Sequence, residues 1–298
     1  MPVATQLTDE QVERLIRISK EKPLIPEEFI PWDVEPGPDQ LFLPEKVVSS
    51  EGLPFYDKLS PQQKRDLGRH EMVQVMYSYA WSEGLFCLFI NRHILDLSPD
   101  TLEYRFLVRE LIEEFRHQDM FANAIDKLEG KPILPGRQHR FWGKMTVKYL
   151  PAAWVFMSGL SVELITDVYG KMIRRDKQVY EVLRKVSELH HIEEGRHIVF
   201  TQAWLNQYTA KANLIQRSWY SIIVMFNIFF MRTLYVKQEI FERIGAENPQ
   251  ECYRQARKHF KQRFADVCLK EAIEFVDSWR GFNAITRPLW RWFLAAKV

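Results

Sequence analysis

Residues 190–197 read HHIEEGRH, and the predicted architecture follows from this segment. On one α-helix, His190, Glu194 and His197 are four and then three residues apart, so their side chains project from a single stripe. A second segment, EEFRH at residues 113–117, carries Glu114 and His117 with the same three-residue spacing. Each segment therefore predicts a helix that presents a carboxylate and an imidazole on the same side.

Two further glutamates, Glu83 and Glu163, each interrupt an apolar helical stripe elsewhere in the chain. Two Glu-x-x-His units on separate helices, plus one glutamate from each of two others, are the ligand pattern of ferritin-like di-metal carboxylate bundles. Buried carboxylates and imidazoles without partners would destabilise the fold strongly, so they need a metal or each other. Oxygen and imidazole donors without thiolate favour iron or manganese. The sequence therefore predicts an all-α, ferritin-like helical bundle with a di-metal centre.

Similar spacings occur at positions that do not fit this centre. Glu188 and His191 form another Glu-x-x-His unit, but their helical stripe is polar and predicts a solvated face. Glu113 and Glu193 directly precede two of the predicted ligands. The three-residue spacing to histidine favours their neighbours as ligands, which leaves Glu113 and Glu193 as outer or surface groups.

Composition limits the partners and the compartment. The 41 basic and 39 acidic residues give a net charge of +2, and the basic residues are spread along the chain, so no nucleic-acid footprint is indicated. Three cysteines without a CxxC spacing, and an N-terminus without a signal-peptide core, predict a reducing cytoplasm. The apolar run at residues 219–231 is shorter than the about 20 residues of a membrane span. It predicts a buried helix and no membrane association.

We expect a single domain over residues 1–298, with no β-strand. Residues 1–59 are predicted to form a helix and an extended proline-rich arm, residues 60–240 the di-metal core, and residues 241–298 the closing helices. Seven prolines within residues 22–60 argue against regular helix there. Ser60 and Pro61 predict the start of a long helix. Gly130 is predicted to be the glycine that ends the next helix, and Asp176 is predicted to cap the helix that carries HHIEEGRH.

The ordered set of four glutamates and three histidines resembles the ligand pattern of the di-iron N-oxygenases typified by p-aminobenzoate N-oxygenase. The resemblance covers roughly residues 60–240, and His190, the third histidine, is its mark among ferritin-like proteins. It implies that two iron ions are bound by Glu83, Glu114, His117, Glu163, His190, Glu194 and His197. Whether the metals are two irons or manganese and iron stays open.

The resemblance also implies an activity. Such a protein would use O2 as co-substrate and an external electron donor to oxidise the amine nitrogen of a small molecule in specialised metabolism. The product would be a hydroxylamine, nitroso or nitro compound, and the protein would be a homodimer. The alternatives are C–H hydroxylation or desaturation at the same centre, ferritin-like iron handling, and a metal-free helical interaction module.

The surroundings of the centre are less determined by the sequence. Glu110 and Asp167 each lie one helical turn from a predicted ligand, and either could accept a hydrogen bond from a metal-bound imidazole or be an ordinary surface acid. Arg109, Arg196 and Arg232 are equal candidates to bind a substrate carboxylate. Aromatic residues on or near the ligand stripes could line a substrate pocket or be plain core; they are Tyr79, Phe86, Phe121, Phe156 and Trp204.

Overall fold

A computed structural model describes residues 7–298 of the chain, and within them the fold is all-α, as predicted. The part described contains a single isolated bridge, between Leu41 and Val179, and no β-strand. The helices are α1 (Asp9–Glu21), α2 (Pro26–Phe29), α3 (Pro54–Asp57), α4 (Pro61–Ile94), α5 (Leu102–Lys127), α6 (Arg137–Tyr149), α7 (Ala152–Arg175), α8 (Glu181–Thr209), α9 (Leu214–Tyr235), α10 (Gln238–Arg243), α11 (Pro249–Ser278) and α12 (Thr286–Leu294).

Four long helices form the core of the bundle. Helices α4 and α5 pack along each other, as do α7 and α8, and contacts of α5 with α8 and of α4 with α7 join the two pairs. Because the connections within each pair are short, the paired helices run antiparallel. Helix α9 lies across α7 and α4, and α6 packs on α4. Every helix expected to carry a metal ligand is therefore one of the four central helices.

The start of α4 follows the predicted signals, whereas the start of α8 does not. The Ser60 hydroxyl accepts from the backbone N–H of Gln63, at 3.2 Å, and Pro61 occupies the first helical position. Asp176, predicted to cap the HHIEEGRH helix, instead ends α7. Residues 178–180 exchange backbone hydrogen bonds with Leu41 of the N-terminal arm, at 2.9 and 2.8 Å. This pairing with a distant segment keeps them out of the helix, which begins at residue 181.

Gly130 follows the end of α5, but glycine is required at this position for a reason other than the predicted one, which was to end the helix. The left-handed residue is Glu129, with φ of 50°. A Cβ atom on Gly130 would lie 2.6 Å from Cγ2 of Val73 on α4. Close approach of the chain to α4, rather than backbone conformation, therefore excludes a side chain there.

The proline-rich arm is more regular than predicted. Pro26 and Pro54 each begin a helix of four residues, since the first helical position tolerates proline. The arm is fixed to the bundle by buried polar contacts. The backbone N–H of Ser49 donates to Glu71 Oε2 at 2.9 Å, and the Ser49 hydroxyl donates to the other oxygen of that carboxylate. The arm therefore packs over α4, as a wrapped segment should.

Helix α9 contains the most apolar run and extends beyond it. Within residues 7–298, one helical stretch, residues 214–243 with α9 and the short α10, is by length and composition able to cross a membrane, and 56% of its apolar window is buried inside the protein. Such burial is that of a core helix. It is nevertheless only partly covered, because Trp219 and Phe226 are 52% and 40% exposed. The prediction of a buried helix thus holds for one side of α9.

Candidate metal centre

The central helices bring the seven predicted ligands together in the middle of the bundle. One group, with ligand atoms all within 4.8 Å of one another, contains Glu83, His117, His190 and Glu194. A second contains Glu110, Glu114 and His197, and a third contains Glu114, Glu163 and Glu194. Because Glu114 and Glu194 each belong to two groups, the three groups form one continuous cluster with shared carboxylates, as a pair of adjacent metal ions would require.

The residues present fit a pair of metal ions. Both oxygens of Glu163 are buried without a hydrogen-bond partner. Glu194 Oε1 lies 3.2, 3.4 and 3.5 Å from ring nitrogens of His190, His117 and His197, without a hydrogen bond of ordinary geometry. Buried acceptors without partners are strongly destabilising, and native structures rarely retain them. A metal ion satisfies several at once, and a donor set of carboxylate and imidazole suits iron or manganese.

Two outer glutamates hold the imidazoles in a reciprocal arrangement between α5 and α8. Glu113 on α5 accepts from Nε2 of His197 on α8, and Glu193 on α8 accepts from Nε2 of His117 on α5, both at 2.9 Å. These contacts fix the ring orientation and leave Nδ1 of each histidine directed at the centre. Both glutamates that the spacing excluded from the ligand set are therefore buried supports of the ligands.

Two arginines complete this outer layer. Arg196 donates to Glu113 at 2.8 Å, and Arg116 donates to Glu193 at 3.0 Å. Burial alone would raise the pKa of Glu113, but hydrogen bonding and charge from His197, with Ser19 and Arg196, lower that pKa to about 2. Glu113 therefore stays anionic and favours donation from the imidazole.

The two acids considered as supports of the ligands, Asp167 and Glu110, have different surroundings, and neither accepts a hydrogen bond from a ligand imidazole. Asp167 contacts His191 and, at 2.7 Å, Lys171, so it pairs away from the ligand imidazoles. Glu110 is buried among the ligands, and neither of its oxygens has a hydrogen-bond partner. The imidazole grouped with Glu110, that of His197, donates its Nε2 proton to Glu113 instead.

Without metal, the crowded carboxylates repel one another. Burial, followed by the charge of Glu114, raises the pKa of Glu83 to about 7. Burial and then the charge of Glu194 raise the pKa of Glu163 well above its usual range. Burial opposes protonation of His190, but Glu194 and Glu83 raise its pKa to about 9. The site thus retains protons that metal ions would displace.

A cavity of about 570 Å³ leads to the centre between α4, α6, α7 and α9. Its inner end is formed by five of the predicted ligands, which are Glu83, Glu114, Glu163, His190 and Glu194. Trp142 on α6 and Trp219 on α9, each more than half exposed, line its outer part. A molecule entering here would reach one side of the metal centre.

Most of the predicted pocket residues do not line this cavity. Phe86 does. Tyr79 and Phe121 pack against the ring of His190, with centroids at 5.6 and 5.1 Å. Phe156 and Trp204 contact each other, with centroids 4.4 Å apart, and are packed within the bundle. The aromatic residues on the ligand stripes are therefore mainly core.

The prediction missed the walls supplied by α6 and α9. They contribute residues such as Trp142, Thr146, Ile223 and Asn227, which lie far from the ligand motifs in sequence. The available signal was the unusual apolarity of α9 together with its aromatic side chains. That pattern indicates burial, but it does not say that a cavity lies beneath the helix.

The fold and the buried clusters define a ferritin-like helical bundle with residues suited to hold two metal ions. The sequence model of the family described as p-aminobenzoate N-oxygenase AurF matches residues 5–279, so the chain belongs to that family of di-iron N-oxygenases.

Relatives of lower similarity include two mycobacterial proteins. The chain is 24% identical over 174 residues to "Uncharacterized protein Rv0885" of Mycobacterium tuberculosis (strain ATCC 25618 / H37Rv), and equally to "Uncharacterized protein Mb0909" of Mycobacterium bovis. Each match covers 57% of this chain and 51% of the relative. The chain therefore spans about half the length of these relatives, whose names state no activity.

Proposed function

We propose that this protein is a non-haem di-iron monooxygenase that uses O2 to oxidise the amine nitrogen of a small molecule. The observation that carries the proposal is the cavity, whose inner end is formed by five candidate metal ligands. A substrate amine placed there would contact the Glu83 and Glu163 side of the centre. Family membership supports the same chemistry.

The predicted ligands, the outer glutamates and the cavity walls would each have a different role. Glu83, Glu114, Glu163 and Glu194, with the three histidines, would hold two iron ions, which when bound would supply the redox chemistry that activates O2. Glu113 and Glu193 hold the imidazoles in place, and the apolar cavity walls exclude water from the inner end. An external electron donor must supply the electrons that the amine does not.

The cavity also favours an oxygenase over iron storage. Iron handling requires a path for ions, whereas this cavity has walls dominated by aromatic and aliphatic side chains and a volume within the range of small-molecule pockets. C–H hydroxylation would use the same centre, and identification of the oxidised atom in the product distinguishes it from oxidation at nitrogen.

The proposed setting is a cytoplasmic homodimer in specialised metabolism. The three cysteines, Cys87, Cys252 and Cys268, are free and buried, which supports a reducing compartment. A sizing column calibrated for a chain of 35.6 kDa tests the dimer directly.

The test is anaerobic Fe(II) loading followed by O2 and a panel of amines, with products identified by mass spectrometry and 18O2 labelling. We expect two irons per chain and 18O on nitrogen. His190→Ala should weaken iron binding and abolish turnover. His191→Ala is the matched control, because His191 contacts Asp167 outside the cluster. Absence of specific iron refutes the proposal, and 18O found only on carbon supports the hydroxylase alternative.

A further inference from the structure

We propose that the cavity accepts elongated amines with an uncharged body and discriminates against amines that carry a free carboxylate. This inference rests on the proposed function, because it concerns the substrate of the same site. It follows from the shape of the cavity and from the charges that line it.

The cavity is long enough for more than one aromatic ring. Helix α7 lines it from Trp154 to Glu163, and Trp154, Ser158 and Val162 follow in steps of four residues that keep them on one side of the helix. Trp154 and Glu163 are nine residues apart, which corresponds to about 13 Å along the helix axis. At about 570 Å³, the cavity falls within the range of pockets for drug-sized ligands.

No lysine or arginine lines the cavity in the chain from residue 7 to residue 298. None of the three arginines considered as partners of a substrate carboxylate lines the cavity. Arg109 donates to Ser19, Arg196 donates to Glu113, and the guanidinium of Arg232 lies over the ring of Phe229. The inner end holds four carboxylates, whose charge two bound divalent ions would balance without leaving a net positive charge to attract an acid. A substrate carboxylate would therefore lose its hydration without gaining a cationic partner.

Six neutral polar residues line the cavity, and they are Ser82, His139, Thr146, Ser158, Thr166 and Asn227. Burial lowers the pKa of His139, which keeps its imidazole uncharged. Asn227 on α9 donates to Ser158 on α7 at 2.9 Å and to the Ile223 carbonyl at 2.8 Å. Those bonds use the amide NH2 group and leave its carbonyl oxygen to accept from a substrate. An uncharged hydroxyl or amide part-way along the substrate fits this position better than an acid does.

Binding to the zinc-loaded protein tests this without turnover, because zinc is redox-inert. The probes are 4-aminobenzoic acid and its butyl ester, which differ in charge and length, and the readouts are tryptophan fluorescence and thermal shift. We expect the ester to bind at least about tenfold more tightly than the acid, because the carboxylate of the acid would be buried without a cationic partner. Equal or tighter binding of the acid, or no binding of either probe, overturns the inference.

A variant adds an internal check. Ile223→Arg places a cation in the cavity and should raise affinity for the acid relative to the ester. Ile215→Arg lies on the same helix at a position 70% exposed and outside the cavity, and it should leave the preference unchanged. If the zinc form prefers the ester but the Fe(II) form consumes no amine with O2, the proposed function fails while this inference stands.

A separate observation concerns Glu110. Its two oxygens are buried and lack hydrogen-bond partners, and one of its ligand atoms lies within 4.8 Å of those of Glu114 and His197. We infer that Glu110 is an eighth ligand, which binds the metal ion of that subsite in addition to the seven predicted residues. Since Glu110 and His197 do not line the cavity, this extra carboxylate acts on the side of the centre away from substrate.

Cobalt(II) titration tests this inference by the d–d absorption spectrum and by affinity, independently of activity. Glu110→Gln keeps the shape of the side chain and should weaken one of two cobalt sites by at least about tenfold, the lower bound for losing even an outer partner of a metal ligand. Glu71→Gln is the control, because Glu71 is equally buried but contacts Ser49. Unchanged affinity and spectrum in Glu110→Gln, or a similar loss in Glu71→Gln, overturns the inference. If Glu110→Gln misfolds, Glu110→Asp takes its place and should show the weakening.

Discussion

Replacing Glu113 by glutamine isolates the contribution of the outer carboxylates to metal binding. Glu113 accepts three hydrogen bonds, from His197 at 2.9 Å, Arg196 at 2.8 Å and Ser19 at 2.5 Å. The amide has the same shape but carries no charge, and only one of its two polar atoms can accept. At least one donor therefore loses its partner, and the imidazole of His197 loses an anion that increases its basicity.

The expected size of the effect follows from these contacts. Loss of an outer partner of a metal-bound histidine weakens metal affinity by about 10–100-fold. Arg196 retains a second carboxylate, Glu193, at 3.4 Å, so the guanidinium is not left unpaired. We therefore expect the lower end of the range, about tenfold, which is about 1.4 kcal/mol in binding free energy. The reciprocal contact makes Glu193→Gln an equivalent perturbation at His117.

The assay is competitive anaerobic titration of Fe(II) or Co(II) against a chromophoric chelator. The matched control is Glu188→Gln, because Glu188 also belongs to a Glu-x-x-His segment of α8 but pairs with Lys185 at 2.8 Å and is 37% exposed. It should bind metal with wild-type affinity. Wild-type affinity in Glu113→Gln, or equal losses in both variants, would show that the outer carboxylate does not support the centre.

Three further outcomes test the stability of the fold. Burial raises the pKa of Glu71 from 4.5 to about 7, so the folded state is favoured by the protonated side chain and loses this stabilisation as pH rises through that window. In urea unfolding, the free energy of unfolding of Glu71→Gln relative to wild type should therefore increase by about 3 kcal/mol between pH 4.5 and a pH above 7. A Cβ atom at Gly195 would meet no neighbouring atom, so Gly195→Ala should raise the free energy of unfolding by about 0.5–1 kcal/mol. A Cβ atom at Gly130 would clash with Val73, so Gly130→Ala should lower the free energy of unfolding by about 1–3 kcal/mol in the same measurement. Metal at 100 times its Kd should stabilise the protein by about 2.7 kcal/mol, and chelation should reverse the shift in melting temperature.

The ligand cluster could be predicted from sequence because its information is local. Helical spacing places Glu114 with His117 and Glu194 with His197 on inward stripes, and the physical cost of burying such groups selects a metal site. The polar Glu188 and His191 stripe could be rejected on the same grounds. The all-α class and the start of α4 at Ser60 also follow from local rules.

The cavity and the start of α8 depended on distant contacts. Aromatic side chains on the ligand stripes were reasonable pocket candidates, but residues directed into a bundle mostly become its core, as Phe156 and Trp204 do. The cavity exists because α6 and α9 cover the groove between α4 and α7, a packing that no periodicity specifies. Likewise, Leu41 pairs with residues 178–180 and delays the start of α8.

The centre has two sides with different physical properties, and this difference indicates how it is built to act. On the α5 and α8 side, His117 and His197 are held by buried carboxylates that arginines in turn hold. On the other side, Glu83 and Glu163 meet a cavity, and Glu163 has no hydrogen-bond partner to fix it. Hydrogen-bonded imidazoles resist displacement, whereas an unsupported carboxylate can change its binding mode at little cost. The geometry would therefore hold two metal ions firmly through His117 and His197, while Glu83 and Glu163, at the cavity, would be freer to change how they bind.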